Sequence, residues 1–221
     1  MNLNIPIIYE DHRILIIHKP AKMLAHPDHK QQLKDVLTLL DNPNLRVVTR
    51  LDANTEGLMI LAKTPEAHAA IQKLSDSGQM KKKYLARCVG YFEIPEAIVE
   101  AYLIKDDEKG RVLLSKEMLP GAKRILTKYK VLDESNQTSL VEIVLLTGRT
   151  HQIRAHMALL GHPVLGDPLY GNPKTNQRHH AKVQQLCSWQ ITFEEIESTH
   201  LFADFSHTSF TTTFCPEQPP L

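Results

Sequence analysis

The sequence predicts an α+β protein, built on a mixed, largely antiparallel β-sheet with flanking helices. Three observations carry this expectation. Strand-like runs outnumber helix-like ones, several follow one another directly, and residues 123–135 and 138–148 read as a hairpin pair. Runs of strands with few helices between them indicate α+β rather than an alternating architecture. The 221 residues fit one large domain or two small lobes, and a hydrophobic content of 42% can build a core, which argues against disorder.

The elements follow in order. "IPIIYE" (5–10) and "ILIIHK" (14–19) are strand-like runs joined by Asp11, His12 and Arg13, and Pro20 stops the second. "KQQLKDVLTLLD" (30–41) sets Leu33, Val36, Leu37 and Leu40 at helical spacing. Val47 and Val48, and then "GLMILAK" (57–63), read as buried strands around a polar turn. "TPEAHAAIQKLSDSG" (64–78) predicts a helix with Thr64 as N-cap, Pro65 at its first position and Gly78 as its stop. "KKYLARCVGYF" (82–92) alternates like a strand, whereas the polar stretch 93–120 shows no legible period. After the hairpin pair, "RTHQIRAHMALLGH" (149–162) predicts a helix capped by Thr150. Ile153, Met157 and Leu160 share its core face, and His151, Arg154, Ala155 and Ala158 lie opposite, where the alanines leave room for a close approach. "LCSWQITFEEI" (186–196) and "HLFADFS" (200–206) read as late strands, and 215–221 as a flexible tail.

Composition narrows the function. No apolar run approaches the ~20 residues of a membrane span. The N-terminal stretch lacks the basic region of a secretory signal, and Cys88, Cys187 and Cys215 show no Cys-x-x-Cys pairing. Free thiols in a reducing, cytoplasmic setting are expected. The formal net charge is only +1, but it is unevenly spread. Residues 78–90 hold Lys81, Lys82, Lys83 and Arg87 without an acid, and 121–132 hold Lys123, Arg124, Lys128 and Lys130 without one. Such segments either gather into a phosphate-binding face or form separate solvated faces.

Two constellations stand out. In "VVTRLDANTEGLMILAKT" (47–64), Asp52 sits between Arg50 and a turn, with strands on both sides. It is either part of a solvated loop with a chance ion pair or chemistry carried on a loop at strand ends. In "LLTGRTHQIRAHMALLGHPVLGDPLYG" (145–171), Arg149 lies at a helix N-terminus, where free N–H groups favour an anion. Arg149 and Arg154 are candidates for phosphate or carboxylate contacts, or are ordinary surface arginines. His151, His156 and His162 lack the i, i+4 spacing of a helical metal pair, so no metal site is expected. No Gly-x-Ser-x-Gly, phosphate loop or dinucleotide glycine fingerprint is present.

The stretches "IIYEDHRILIIHKPAKMLAHP", "RLDANTEGLMILAKT", "KKKYLA" and "TGRTHQIRAHMALLGHPVLGDPLYG" occur in that order. Together they resemble the RluA-type RNA pseudouridine synthases over residues 6–210. The resemblance implies a mixed-sheet catalytic domain, spanning 1–214, with a central cleft. It also implies isomerisation of uridine to pseudouridine in RNA, with no cofactor and no metal. Where the family usually has His and Ser, this chain has Thr49 and Glu56, which bears on how the loop is braced. The pattern begins at about residue 6, so no separate RNA-binding domain is expected ahead of it.

The resemblance makes Asp52 the catalytic carboxylate, which either attacks the ribose or abstracts a proton from it. Arg154 pairs with Asp52 in an ion pair. Arg50 fills the gap left by a flipped base, Tyr84 lies against the uracil, Ile153 forms an apolar wall beneath it, and Arg149 contacts the RNA. The expected partner is a stem-loop of ribosomal or transfer RNA, bound by a monomer. The competing readings are a catalytically inactive RNA-binding protein or RNA chaperone on the same scaffold, and an unrelated hydrolase that uses Asp52 with a histidine.

Overall fold

Ile14, Leu15, Ile16 and Ile17 are all buried, as a continuous apolar run predicts for a strand covered on both faces. They belong to β2 (Ile14–Lys19). β2 pairs antiparallel with β1 (Ile7–Glu10) on one side and β4 (Glu56–Ala62) on the other. The computed structural model describes residues 5–27, 33–106, 108 and 110–213. It divides into two units, of which the first runs to Lys82 and resumes at Cys187 and the second spans Lys83–Leu186.

In the first unit, β3 (Arg46–Val47) pairs antiparallel with β4. β10 (Leu186–Phe193) runs parallel to β4 through Cys187 and Ser188, and β11 (Ser209–Thr211) closes antiparallel on β10. This parallel step makes the sheet mixed. The amphipathic helix α2 (Pro65–Asp76) packs Ala67, Ile71 and Leu74 with Ile14, Ile16, Leu58, Ile60 and Phe193. Thr64 caps it by accepting from the Ala67 amide, as expected.

The second unit is antiparallel, in the order β5 (Met80–Val89), β9 (Thr138–Leu145), β8 (Lys123–Ser135), β6 (Glu96–Asp106) and β7 (Arg111–Ser115). The hairpin read at 123–148 is present. The illegible stretch 93–120 holds β6 and β7. Ala101, Leu103 and Val112 face a small core, while Glu96, Ile98 and Glu100 face outward. That mixture of outward charge and isoleucine hides the strand period.

Four expectations change. The helix read at 30–41 is only α1 (Val36–Leu40), because Asp35 takes an extended conformation and caps it by accepting from the Thr38 amide. Leu33 is exposed outside it, and residues 28–32 lie outside the described residues. Residues 200–206 form a turn and a 3-10 segment, Ala203–Phe205, and not a strand. Phe202 and Phe205 pack into the core while the Arg13 guanidinium lies over both rings. Helix α3 (Gln152–Leu159) has His151 at its N-cap position, in a left-handed conformation and without a side-chain capping bond, and exposed Thr150 lies outside that position. Finally, α3 has no open face across from Ile153: everything from Gln152 to Met157 is buried, and Ala155 packs with Ala101, Leu103 and Val112. The 215–221 tail lies outside the described residues.

Candidate active site

The Asp52 loop connects β3 to β4. Leu51 is buried, so its neighbours Arg50 and Asp52 project away from the core: Arg50 is exposed and Asp52 half-buried. The loop is fastened through its backbone. The Thr55 amide bonds the Asp52 carbonyl at 3.0 Å, and the Met23 amide bonds the Ala53 carbonyl at 3.2 Å. Thr49 is buried, and its hydroxyl accepts from the Ile60 amide at 2.9 Å. The threonine thus braces the loop where relatives of the resembled family carry histidine. Gly57 at the base of the loop has φ +111°, and a Cβ there would stand 2.4 Å from the Ser188 carbonyl oxygen, so only glycine fits.

Lys19, at the end of β2, is the other anchor. It is 0% exposed, and its Nζ donates to the carbonyls of Pro20 (2.9 Å), Met23 (2.8 Å) and Ala53 (3.1 Å). Burial lowers its pKa to about 8, against the raising influence of the Asp52 and Glu56 charges. The ammonium therefore ties the residue next to Asp52 to two other segments and supplies positive charge near the carboxylate. Glu56 also stands 3.8 Å from the His18 ring, whose Nδ1 meets the Thr212 hydroxyl at 2.7 Å.

In the second unit, Arg154 is buried in an ion pair with Asp167. Its Nε and Nη2 donate to the two carboxylate oxygens at 2.7 and 3.1 Å, with side-chain exposures of 5% and 0%. Burial raises the Asp167 pKa, but the Arg154 hydrogen bond and charge, with the Tyr170 and Leu169 amides, outweigh it and hold the carboxyl below its usual value. The Tyr170 ring lies 5.3 Å from the guanidinium. Its hydroxyl accepts from the Val112 amide at 2.8 Å and meets His151 Nδ1 at 3.1 Å. Gln152 fixes the start of α3 by donating to the Leu126 carbonyl and the Thr127 hydroxyl, both at 3.0 Å, while accepting from the Arg149 amide at 3.2 Å. Arg149 itself is exposed.

Tyr84 and Ile153 are both buried within this unit, Tyr84 on β5 opposite Ile143 of β9. The three histidines serve separate roles: His151 contacts Tyr170, His156 Nδ1 meets the Thr127 hydroxyl at 2.9 Å, and His162 stacks on Phe92 at 4.0 Å. The sequence reading passed over Lys19, Asp167, Tyr170 and Gln152. A lysine ending a strand that opens with four buried apolar residues, and an aspartate between Gly166 and Pro168, were the available signals.

The chain is similar to known proteins of one family. A family model described as RNA pseudouridylate synthase matches residues 13–159. The mitochondrial tRNA pseudouridine(32) synthase of Saccharomyces cerevisiae is 37% identical over 173 residues, covering 76% of this chain and 37% of that protein. The dual-specificity RNA pseudouridine synthase RluA of Vibrio cholerae serotype O1 is 35% identical over 210 residues, covering 91% of this chain and 84% of the relative. Across the first relatives matched, the chain spans from 37% to 61% of their length. Among solved structures, human RNA pseudouridylate synthase domain containing 1 superposes with a TM-score of 0.73 at 24% identity, over 87% of this chain and 80% of that one. That likeness establishes the fold.

Proposed function

Because the chain belongs to the RNA pseudouridylate synthase family, we propose that it isomerises uridine to pseudouridine in RNA, with Asp52 as the reacting carboxylate. The observation that carries this reading is the Asp52 loop itself. A half-exposed carboxylate is held by backbone bonds on both sides and by a buried lysine, inside the region matched by the family model. Such anchoring fixes the position from which the carboxylate would react.

The reaction breaks the bond from ribose C1′ to uracil N1, rotates the base, and joins C1′ to C5. The proton on C5 leaves and N1 gains one, so product and substrate contain the same atoms and no co-reactant is consumed. Asp52 either attacks the sugar or removes a proton from it. A uridine stacked in a helix cannot present C1′, so the base must flip out. Arg50, exposed beside Asp52, suits the gap left behind, since a planar guanidinium can replace stacking and pairing contacts. Tyr84 lies against the uracil and Ile153 walls it. By the family resemblance Arg154 is the orienting cation of the reaction, and its lock onto Asp167 supports a fixed direction for its guanidinium. Arg149 takes a phosphate. The substrate is a stem-loop of ribosomal or transfer RNA, where a loop uridine is already partly unstacked and costs little to flip.

The test is product analysis. Purified protein is offered protein-free ribosomal RNA and transfer RNA, and pseudouridines are mapped with and without it. A new pseudouridine with unchanged nucleoside mass and no released fragment is expected. Binding without any new pseudouridine in either RNA, or in intact ribosomal particles, would leave the inactive-binder reading standing.

A further inference from the structure

Most of the cations in the basic segments are spoken for. Lys81 pairs with Glu194 at 2.7 Å, Lys83 with Glu142 at 3.4 Å, Arg124 with Glu100 at 2.6 Å and Lys128 with Glu96 at 2.9 Å. Arg87 lies 3.7 Å from Asp133. These acids lie elsewhere in the chain and are brought alongside by folding, so segments that look purely basic in sequence are partly neutralised in the fold.

Residues 168–193 differ. They contain Lys174, Arg178 and Lys182, and no Asp or Glu. All three side chains are exposed, and among the described residues none has an ion-pair partner. They lie on and just after helix α4 (Pro173–Arg178), which has 6 residues and buries none of them. A helix this short does not form alone in water, and α4 gains no core contact to offset its ordering. It is held by polar bonds instead. The Asn172 side chain caps it by accepting from the Lys174 and Thr175 amides at 2.9 and 3.2 Å. Asn176 accepts from the Gly166 amide at 2.9 Å and donates to the Asp167 carbonyl at 3.2 Å. The returning chain passes so close to Gly166 that a Cβ there would stand 1.9 Å from the Val183 carbonyl oxygen. The lobe is therefore pinned at both ends to Gly166 and Asp167, and Asp167 is the residue that holds Arg154.

We propose that the lobe formed by α4 and the turn to Lys182 is a docking surface for the phosphate backbone of the RNA stem, placed at a fixed distance from the Arg154 site. The inference rests on the RNA reading above and deepens it by naming which cations hold the substrate. Unpaired, exposed lysine and arginine release condensed counterions when they meet phosphates, whereas cations already paired to carboxylates release fewer. Their order without burial is what a charge-presenting element requires and what a structural element does not. The lobe takes part in holding RNA and in none of the bond changes.

The test is equilibrium binding of a synthetic RNA hairpin and of unfractionated transfer RNA to the whole chain, over a range of salt concentrations. The triple substitution Lys174→Ala, Arg178→Ala and Lys182→Ala should fold normally, since these side chains are exposed. It should flatten the slope of log affinity against log salt by about 2–3, near one per lost phosphate contact. Affinity near 0.1 M salt should fall on the order of 10- to 100-fold. Arg124→Ala with Lys128→Ala should change the slope by less than about 1. At saturating RNA the turnover rate of the triple variant should match the parent, with a raised half-saturating concentration. An unchanged slope in the triple variant overturns the proposal, as does an equal loss in the paired-cation control. Loss of binding to vesicles of anionic phospholipid with RNA binding intact would assign the surface to a membrane and also overturn it. Binding is read without turnover, so a chain that makes no pseudouridine would refute the proposed function while leaving this test informative.

Discussion

Asp52 and Arg154 are both charged groups held in place, and the two regions hold them in opposite ways. Asp52 is half-exposed, and the bonds that fix it run through its own carbonyl and that of Ala53. Arg154 is almost wholly buried, and its guanidinium is gripped directly by Asp167. The difference follows from what each group is suited to do. A carboxylate proposed to react must be reached by substrate, and partial exposure allows that. An orienting cation needs a fixed direction more than access. A buried counterion supplies that direction, and the cost of leaving either partner alone makes the pair part of the folding core.

This contrast can be broken by exchanging the two charges for their neutral amides. Asp52→Asn should keep the fold, with an unfolding midpoint close to the parent, and lower pseudouridine formation by on the order of 10²–10⁴-fold or more. Measurable formation at more than a trace of the parent rate would remove Asp52 from the chemistry. Asp167→Asn should instead destabilise the protein by about 3–5 kcal/mol, because Arg154 is left as an uncompensated buried charge. Denaturant unfolding reads this, and a loss below about 1 kcal/mol would show that water or another group rescues the arginine.

The two regions should also respond at opposite ends of the pH scale. His156, fully buried on α3, is held down to a pKa of about 4 by burial, below the ordinary 6.5. The unfolded chain binds the proton first, so stability attributable to His156 is complete above pH 6.5 and is lost as pH falls toward 4. The loss approaches about 3 kcal/mol. Lys19 has its pKa lowered to about 8 from 10.5. Between those values the unfolded state again holds more protons, so stability rises with pH across that window, by a similar order of magnitude. Unfolding free energies across pH should show both slopes. His156→Gln should flatten only the acid one and Lys19→Met only the alkaline one. The smallest effect tests the brace at the loop. Thr49→Val keeps the shape but leaves the Ile60 amide without its hydroxyl acceptor, for a loss of about 1–3 kcal/mol, with activity falling only as far as the loop loosens.

Parts of the fold were legible because one element's own side chains report them. The apolar run of β2, the Thr64–Pro65 start of α2 and the hairpin of β8 and β9 each stand in a short window of sequence. The 93–120 region was not legible. Its outward residues alternate charge with isoleucine, and only pairing with β8 shows that Glu96 and Glu100 answer Lys128 and Arg124. Residues 200–206 misled for a related reason. Phe202 and Phe205 pack around an arginine that lies far away in the chain.

The site divides along the same line. By itself the sequence determined that Asp52 lies on a loop between strands, beside Arg50, and that Arg154 belongs to a helix following a strand, because turn formers and apolar periods are local properties. It determined the family as well, since the motifs that carry the resemblance are contiguous. Only the tertiary structure decided that Lys19 clamps the Asp52 loop, that Asp167 holds Arg154, and which cations keep their charge unpaired. Each of these depends on partners brought together from distant positions, such as Lys19 with Ala53 and Arg124 with Glu100. A charged residue looks the same in sequence whether it faces solvent, a carbonyl or a carboxylate. What it can do is set by the group it meets after folding.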